Sequence, residues 1–212
     1  MKKLIIFDLD GTLLDTIADL SMACNHALQK NGLPIYQLEE FKGMVGNGIK
    51  SLINKAAPGQ SEQILGELLK DFLDYYDNHS TDLTTSYPGI RELLAELKSR
   101  DIMLAVCSNK YHEAVVKIID YFFPNTFTTV YGEITGLFRK PSPAIIERIM
   151  KETGVSRTDT LMVGDSEADV EAARRAGVDS AAVTWGFRST EQLQATEPTH
   201  LIDRPVDILK IL

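Results

Sequence analysis

The sequence has few cysteines and few basic residues, and both shortages exclude classes of protein. Cys24 and Cys107 are the only cysteines among the 212 residues. They lie far apart without a CxxC spacing, so they predict neither a disulfide framework nor a zinc site. Lysine and arginine number 22 against 30 aspartates and glutamates, which gives a formal net charge of −8. Nucleic acid and anionic membrane surfaces would repel such a chain, and we expect neither as a partner.

Long apolar runs are also missing. No stretch approaches the roughly 18 apolar residues of a membrane span. Asp8 and Asp10 end the opening run MKKLIIF too early for the core of a signal peptide. We therefore expect a cytoplasmic protein, either a monomer or a homodimer. The length allows one large core or a core with a smaller inserted domain.

Strand and helix patterns alternate from Pro88 onward. The spacing of apolar residues predicts strands at 102–108, 127–132, 160–165 and 180–186 and helices at 89–100, 111–122, 141–154 and 168–177. With LIIFDLD as the first strand, this order predicts an α/β fold, a doubly wound parallel sheet. The predicted strands are apolar throughout rather than alternating, as expected when helices cover both faces of a sheet.

The segment between Thr16 and Thr84 has apolar residues at helical spacing only. We interpret it as an inserted α-helical cap domain at 15–84, with the α/β core formed by 1–14 and 85–212. The polar segments where the chain crosses between the two would then act as hinges.

Two aspartates two residues apart follow the first apolar run, in FDLDGTLLDT. On a strand, Asp8 and Asp10 would share a face, and Gly11 would let the chain turn. The alternative is an ordinary hairpin turn, because Asp-Gly between apolar runs is typical of one. The helical spacing in LLDTIADLSMA argues against a returning strand. Carboxylates placed this close repel each other unless a positive group joins them.

Polar residues follow three more predicted strands. Ser108 and Asn109 follow one, Lys140 lies before a helix, and Asp165 and Asp169 follow another. Each has an ordinary explanation as a turn, a helix cap or a solvated lysine. Ligands of parallel sheets bind beyond the carboxyl ends of the strands, so together these residues predict one site. Carboxylates there suit Mg²⁺, and the hydroxyl, amide and ammonium groups suit phosphate oxygens.

In this order the motifs resemble the haloacid dehalogenase (HAD) superfamily, specifically its phosphatase branch with a small helical (C1-type) cap on a Rossmann-like core. The motifs are DxDGT at 8–12, Ser108 with Asn109, Lys140 in KP, and GDxxxD at 164–169. The resemblance implies that Asp8 is the nucleophile that forms an aspartyl-phosphate. It implies that Asp10 protonates the leaving oxygen and later activates water. An acid at position 10 also separates the chain from the dehalogenases themselves.

The same resemblance implies the ligands. Mg²⁺ would be held by Asp8, the backbone carbonyl of Asp10 and Asp165, with Asp169 either a direct ligand or one contact further out. Phosphate would be bound by groups at the same strand ends, namely Thr12, Ser108, Asn109 and Lys140.

The substrate is predicted from the cap. Glycine amides at a helix start suit an anion, and in GMVGNGIKSLI, at 43–53, Lys50 would add charge. The alternative is a plain loop before a helix. The stretch resembles the cap motif of phosphoglycolate phosphatases, as does WGFRS at 185–189. We therefore expect a Mg²⁺-dependent phosphatase acting on a small phosphorylated metabolite, with 2-phosphoglycolate first. The aromatic residues Phe72, Tyr75 and Tyr76 are predicted to serve in packing.

Other functions stay open at this point. β-Phosphoglucomutase activity would be accompanied by an acid at the position of Gly164, and pyrophosphatase and nucleotidase activities are further alternatives within the superfamily. A phosphoacceptor signalling module also combines clustered aspartates, a hydroxyl and a lysine. Such a module has no helical insertion after its first strand.

Overall fold

A computed structural model describes residues 1–134 and 139–212. The described strands are β1 (Leu4–Phe7), β2 (Leu14–Asp15), β3 (Thr85–Ser86), β4 (Met103–Tyr111), β5 (Thr129–Glu133), β6 (Thr160–Gly164), β7 (Asp179–Val183) and β8 (His200–Ile202). The α-helices are α1 (Ile17–Lys30), α2 (Leu38–Phe41), α3 (Gly48–Ala56), α4 (Glu62–His79), α5 (Ile90–Ser99), α6 (His112–Phe122), α7 (Ala144–Thr153), α8 (Glu167–Ala176) and α9 (Thr190–Gln194). Short 3₁₀ helices span Arg157–Asp159 and Pro205–Lys210.

Six strands form one parallel sheet in the order β5-β4-β1-β6-β7-β8. Phe7, at the end of β1, lies beside Val106 of β4 and Val163 of β6. The carboxyl ends of these three central strands therefore meet at one edge, where parallel sheets bind ligands.

Helices cover both faces of the sheet. The buried residues Ile5 and Phe7 of β1 pack on the side of α5 and α6, whereas Leu4 and Ile6 pack on the side of α7 and α8. Successive side chains of a strand point to opposite faces, so a strand buried on both must be apolar at every position. The predicted α/β, doubly wound parallel sheet is confirmed.

Helices α1 to α4 lie between two short strands, β2 and β3, which pair with each other as a separate antiparallel ribbon. The chain thus enters and leaves this helical segment side by side. Helices α1 and α4 pack together around Leu68, Phe72 and Tyr76. In the part of the chain that the structure describes, no helix is both long enough and apolar enough to cross a membrane.

Some predicted boundaries are wrong. Strand β1 ends at Phe7 and not at Asp10, because the carbonyl of Leu9 accepts hydrogen bonds from three later amides and folds the chain back. Helix α7 begins at Ala144 and not at Pro141, since a residue before a proline, here Ser142 before Pro143, is disfavoured in helical geometry. Strand β8 and helix α9, of three and five residues, were not predicted.

Candidate active site

The first acid of the motif, Asp8, is buried directly after β1. One of its carboxylate oxygens accepts a hydrogen bond from the amide of Leu9 at 2.7 Å and lies 2.9 Å from the ammonium nitrogen of Lys140. Burial raises the pKa of Asp8 to about 7, with Lys140 opposing and Asp169 adding to the rise. The carboxylate is therefore partly stripped of water and positioned by two donors.

Lys140 is the cation at the centre of the site. Its side chain is 1% exposed, and its ammonium group donates to Asp169 at 2.6 Å and to the carbonyl of Cys107 at 2.7 Å. Burial by itself lowers the pKa of Lys140, but the carboxylates of Asp169 and Asp8 raise it further, so the lysine stays charged. Asn109 holds the backbone in place, since its amide group bonds both the N–H and the carbonyl of Lys140.

The second acid of the motif, Asp10, faces a different lysine. The ammonium group of Lys110 donates to both oxygens of Asp10 at 2.8 and 2.9 Å, and the hydroxyl of Thr16 donates at 2.7 Å. The Lys110 side chain is 4% exposed. Burial lowers the pKa of Lys110, but the Asp10 carboxylate and the Tyr76 hydroxyl together raise it further. The two acids thus have separate partners, which is the arrangement that two separate roles would need.

The acids that follow β6 complete a cluster. Asp165 accepts a hydrogen bond from the amide of Phe187 at 2.8 Å, and burial together with Asp8 and Asp169 raises its pKa to about 8. Asp169 lies in the first turn of α8, where one oxygen accepts from the amide and hydroxyl of Ser166 and the other from Lys140. Oxygens of Asp8, Asp165 and Asp169 lie within 4.8 Å of one another.

This cluster fits a divalent cation. When ionised, the carboxylates of Asp8, Asp10, Asp165 and Asp169 carry four negative charges against the two positive charges of Lys110 and Lys140, an excess of two, and all of these groups except the half-buried Asp10 are buried. Burial is the main cause of the raised pKa values of Asp8 and Asp165, and the neighbouring carboxylates add to it. Hard oxygen ligands of this kind prefer Mg²⁺. Both oxygens of Asp169 accept hydrogen bonds of 2.6 to 3.0 Å from Lys140 and Ser166. One oxygen of Asp165 has only a longer contact of 3.4 Å with the hydroxyl of Thr12, so Asp8 and Asp165 are the better-placed ligands.

Glycine is required where the backbone passes close to these acids. A Cβ on Gly164 would lie 2.2 Å from the carboxyl carbon of Asp169, and one on Gly11, whose φ is +83°, would lie 2.3 Å from an oxygen of Asp165. The position of Gly164 therefore admits no acidic side chain while Asp169 is in place.

A cavity opens above the acids, between the core and helices α1, α3 and α4. The described residues that line it are Asp8, Asp10, Leu20, Val45, Gly46, Gly48, Ile49, Leu52, Phe72, Tyr76, Ser108, Asn109, Lys110 and Tyr111. The four predicted segments 8–12, 108–109, 140 and 165–169 thus lie at one place, with the cavity as its opening.

A haloacid dehalogenase-like hydrolase family model matches residues 5–183, which includes all four of these segments. The chain belongs to this family. A curated phosphoglycolate phosphatase of Vibrio parahaemolyticus is 34% identical over 219 residues, which cover 99% of this chain and 96% of that protein. Phosphoglycolate phosphatase 1 of Pseudomonas aeruginosa is 35% identical over 217 residues, which cover 99% of this chain and 79% of that protein. A crystal structure from Lactobacillus delbrueckii subsp. bulgaricus has a TM-score of 0.94 at 34% identity, covering 100% of this chain and 98% of that one.

In the structure of this HAD-family chain, some of the residues predicted to bind phosphate or substrate make other contacts. Asn109 uses its side-chain amide on Lys140 and on the carbonyl of Gly46, which leaves its backbone for a phosphate contact. The hydroxyl of Thr12 lies 3.4 Å from Asp165. Lys50 is exposed on α3 and is not among the described residues that line the cavity. Its predicted anion contact has no support in this arrangement.

Sequence reasoning missed three residues at the site. Lys110 lies on the part of β4 that continues beyond the predicted strand end at Ser108, so the predicted bounds left it out of the site. Arg188, in the WGFRS segment, donates to the carbonyls of Lys42 and Val45 in the loop before α3 at 2.7 and 2.8 Å. Tyr76, predicted to serve in packing, is buried but also lines the cavity.

Proposed function

We propose that the protein is a Mg²⁺-dependent phosphatase that hydrolyses a small phosphomonoester through an aspartyl-phosphate at Asp8, with 2-phosphoglycolate as the substrate. The observation that carries the proposal is the pairing of two neighbouring acids with two different buried lysines at the base of one cavity. The curated relatives named phosphoglycolate phosphatase support the choice of substrate.

The residues divide the reaction between them. A carboxylate oxygen of Asp8 attacks phosphorus while the bond from phosphorus to the ester oxygen breaks, and Asp10 gives its proton to that oxygen as the alcohol leaves. Asp10 then takes a proton from water, whose oxygen attacks phosphorus and releases inorganic phosphate and free Asp8. Lys140 stays beside the Asp8 carboxylate and places positive charge where the phosphoryl oxygens gather.

The bound ion would add to the same electrostatics. Asp8 and Asp165 would hold Mg²⁺ with the backbone carbonyl of Asp10, and Asp169 would orient Lys140 beside it. When bound, the ion supplies positive charge to the phosphoryl group and balances the excess negative charge of the buried acids.

The division of the chain is part of the proposal. We assign 1–14 and 85–212 to the core that holds the chemistry and 15–84 to a cap that closes the cavity above it. The paired strands β2 and β3, where the chain crosses twice, are the hinge. The two cysteines are free and buried, which fits the reducing cytoplasm predicted from sequence.

The alternatives have less support. The crowding of Gly164 against Asp169 leaves no space for the acid expected in a β-phosphoglucomutase. The cavity has a volume of about 40 Å³, which is too little for a nucleoside with the helical segment in this position. A signalling module needs no cavity of this kind.

The test is a phosphate-release assay on a panel of substrates, with and without EDTA. The panel comprises 2-phosphoglycolate, pyrophosphate, β-glucose-1-phosphate and a nucleoside monophosphate. We expect many turnovers on 2-phosphoglycolate, loss of activity on chelation and recovery with Mg²⁺. A ranking that places 2-phosphoglycolate among the poorest substrates would contradict the proposed choice of substrate. A single phosphate retained per chain would contradict the proposal that the protein is an enzyme.

A further inference from the structure

Among the residues that the structure describes, the side of the cavity formed by helices α1, α3 and α4 has one polar side chain. The described side chains on this side belong to Leu20, Val45, Ile49, Leu52, Phe72 and Tyr76. Five of these carry no hydrogen-bonding group, so the hydroxyl of Tyr76 is the exception.

This hydroxyl is buried, and it has no partner of good hydrogen-bond geometry within the described ranges, 1–134 and 139–212. The ammonium group of Lys110 is near enough to act on it, but that group donates to both oxygens of Asp10. Burying a hydroxyl in this way costs stability, and most buried polar atoms in proteins have a partner. We therefore expect the hydrogen-bond partner of this hydroxyl to be an atom of the molecule that the cavity binds.

Packing does not account for the hydroxyl. The ring of Tyr76 stacks on Phe72 with centroids 5.3 Å apart, and the ammonium nitrogen of Lys110 lies 5.0 Å from its centroid. A phenylalanine would make both contacts. Tyr111, on the core side of the same cavity, differs in that its hydroxyl already bonds Asp77 at 2.5 Å.

The surroundings define what the hydroxyl would bind. Burial raises the pKa of Tyr76 to about 12, with Lys110 opposing the rise, so its oxygen keeps its proton at neutral pH and is available as a donor. The ligand atom is then an acceptor, and the ammonium group of Lys110 beside the ring favours a negatively charged one.

The available space limits the size of the ligand. The cavity volume of about 40 Å³ corresponds to about three waters, at roughly 10–15 Å³ each. A leaving group of only a few atoms fits, so its acceptor must lie within about three bonds of the ester oxygen, as a carboxylate oxygen of glycolate does.

We propose that Tyr76 is a specificity-determining residue whose hydroxyl donates to a carboxylate oxygen of the substrate's leaving group. The enzyme then selects phosphoesters of short hydroxy acids over those of plain alcohols. This inference rests on the proposed function and identifies the group that recognises the carboxylate.

The test compares kcat/KM for 2-phosphoglycolate and for ethyl phosphate, which lacks the carboxylate. Tyr76→Phe removes only the hydroxyl, and we expect it to lower kcat/KM for 2-phosphoglycolate about 10-fold or more, as for a lost hydrogen bond to a charged group. We expect the value for ethyl phosphate to change less than about 2-fold. In the matched control, Tyr75→Phe, which removes a hydroxyl from the neighbouring residue of α4 outside the described cavity lining, the ratio between the two substrates should stay that of the wild type.

A second readout separates recognition from turnover. In an Asp8→Asn background with Mg²⁺, calorimetric binding of 2-phosphoglycolate should weaken about 10-fold on adding Tyr76→Phe, and binding of ethyl phosphate should not change. Equal losses for both substrates, no loss for either, or a wild type that does not prefer 2-phosphoglycolate to ethyl phosphate would overturn the inference. If the wild type releases phosphate from neither ester, the proposed function fails, and the binding comparison still decides the role of Tyr76.

Discussion

The two sides of the cavity are built in different ways. On the core side, Asp8, Asp10 and Asp169 are each held by a buried lysine at 2.6 to 2.9 Å. On the helical side, apart from Tyr76, the lining is apolar, and the loop before α3 is held through its backbone carbonyls. A backbone contact does not depend on the side chain of the residue that makes it. The charged groups that the proposed reaction needs therefore lie on the core side, while side chains of the helical side can vary to select the leaving group.

The largest effect should come from the core side. Asp8→Asn keeps the size of the side chain and its place beside Lys140 but removes the negative charge needed for attack. We expect kcat to fall by at least about 10³-fold, since removal of a nucleophile is among the costliest changes in an enzyme. Phosphate release measures the loss, and circular dichroism checks the fold. Asp120→Asn, on exposed α6 surface, is the control and should retain full activity.

Lys140→Met tests whether this lysine serves both chemistry and stability. Its loss leaves Asp8 and Asp169 buried without their cation, so we expect a fall in kcat of about 10²-fold or more. The free energy of unfolding without metal should drop by about 3 kcal/mol. Urea denaturation measures the second effect. Lys3→Met, which breaks the exposed pair with Asp159, should cost less than about 1 kcal/mol. Equal losses in the two variants would contradict the account.

Arg188→Ala tests the attachment of the helical side. Arg188 bonds two carbonyls of the loop before α3, so its removal should favour an open cavity. We expect KM for 2-phosphoglycolate to rise about 10-fold with a smaller change in kcat. Arg204→Ala, at an exposed ion pair with Asp207, is the control. A fall in kcat at unchanged KM would instead place Arg188 with the chemistry.

The smallest predicted effect is a pH-dependent stabilisation by Mg²⁺. The folded-state pKa values of Asp8, about 7, and Asp165, about 8, lie above the unfolded value of 3.8. The folded protein therefore binds protons more tightly, and without metal its stability should fall as the pH rises from about 5 to about 8. Bound Mg²⁺ should abolish this loss of stability with rising pH. We expect the gain in Tm from Mg²⁺ to be at least about 3 °C larger at pH 8 than at pH 5.5. Thermal melts with Mg²⁺ or EDTA measure it, and a gain independent of pH would show that the buried acids are not its cause.

The part of the site that follows from strand order could be predicted from the sequence. Asp8 and Asp165 follow neighbouring strands of a parallel sheet, so their proximity depends on topology alone. The same reasoning places Ser108 on the next strand. The α/β fold was predictable for the same reason, because long apolar strands alternate with amphipathic helices.

The rest depends on contacts between distant segments, which spacing does not reveal. Asn109 was expected to bind phosphate through side-chain or backbone donors, and only the fold shows that its side chain is directed to the backbone of Lys140. Tyr76 has the helical spacing of a core residue, and only the packing of α4 over β4 brings it above Lys110. Its hydroxyl is distinguished by the absence of a partner of good hydrogen-bond geometry among the described residues, a property that no sequence pattern records.

The central claim is that Asp8 carries the phosphoryl group. Turnover of 2-phosphoglycolate with Mg²⁺, quenched in acid and reduced with borohydride, converts an aspartyl-phosphate to homoserine. Peptide mass spectrometry should find homoserine at position 8 and aspartate at position 10. Phosphate release with an unmodified Asp8, or homoserine at any other position, would contradict the account.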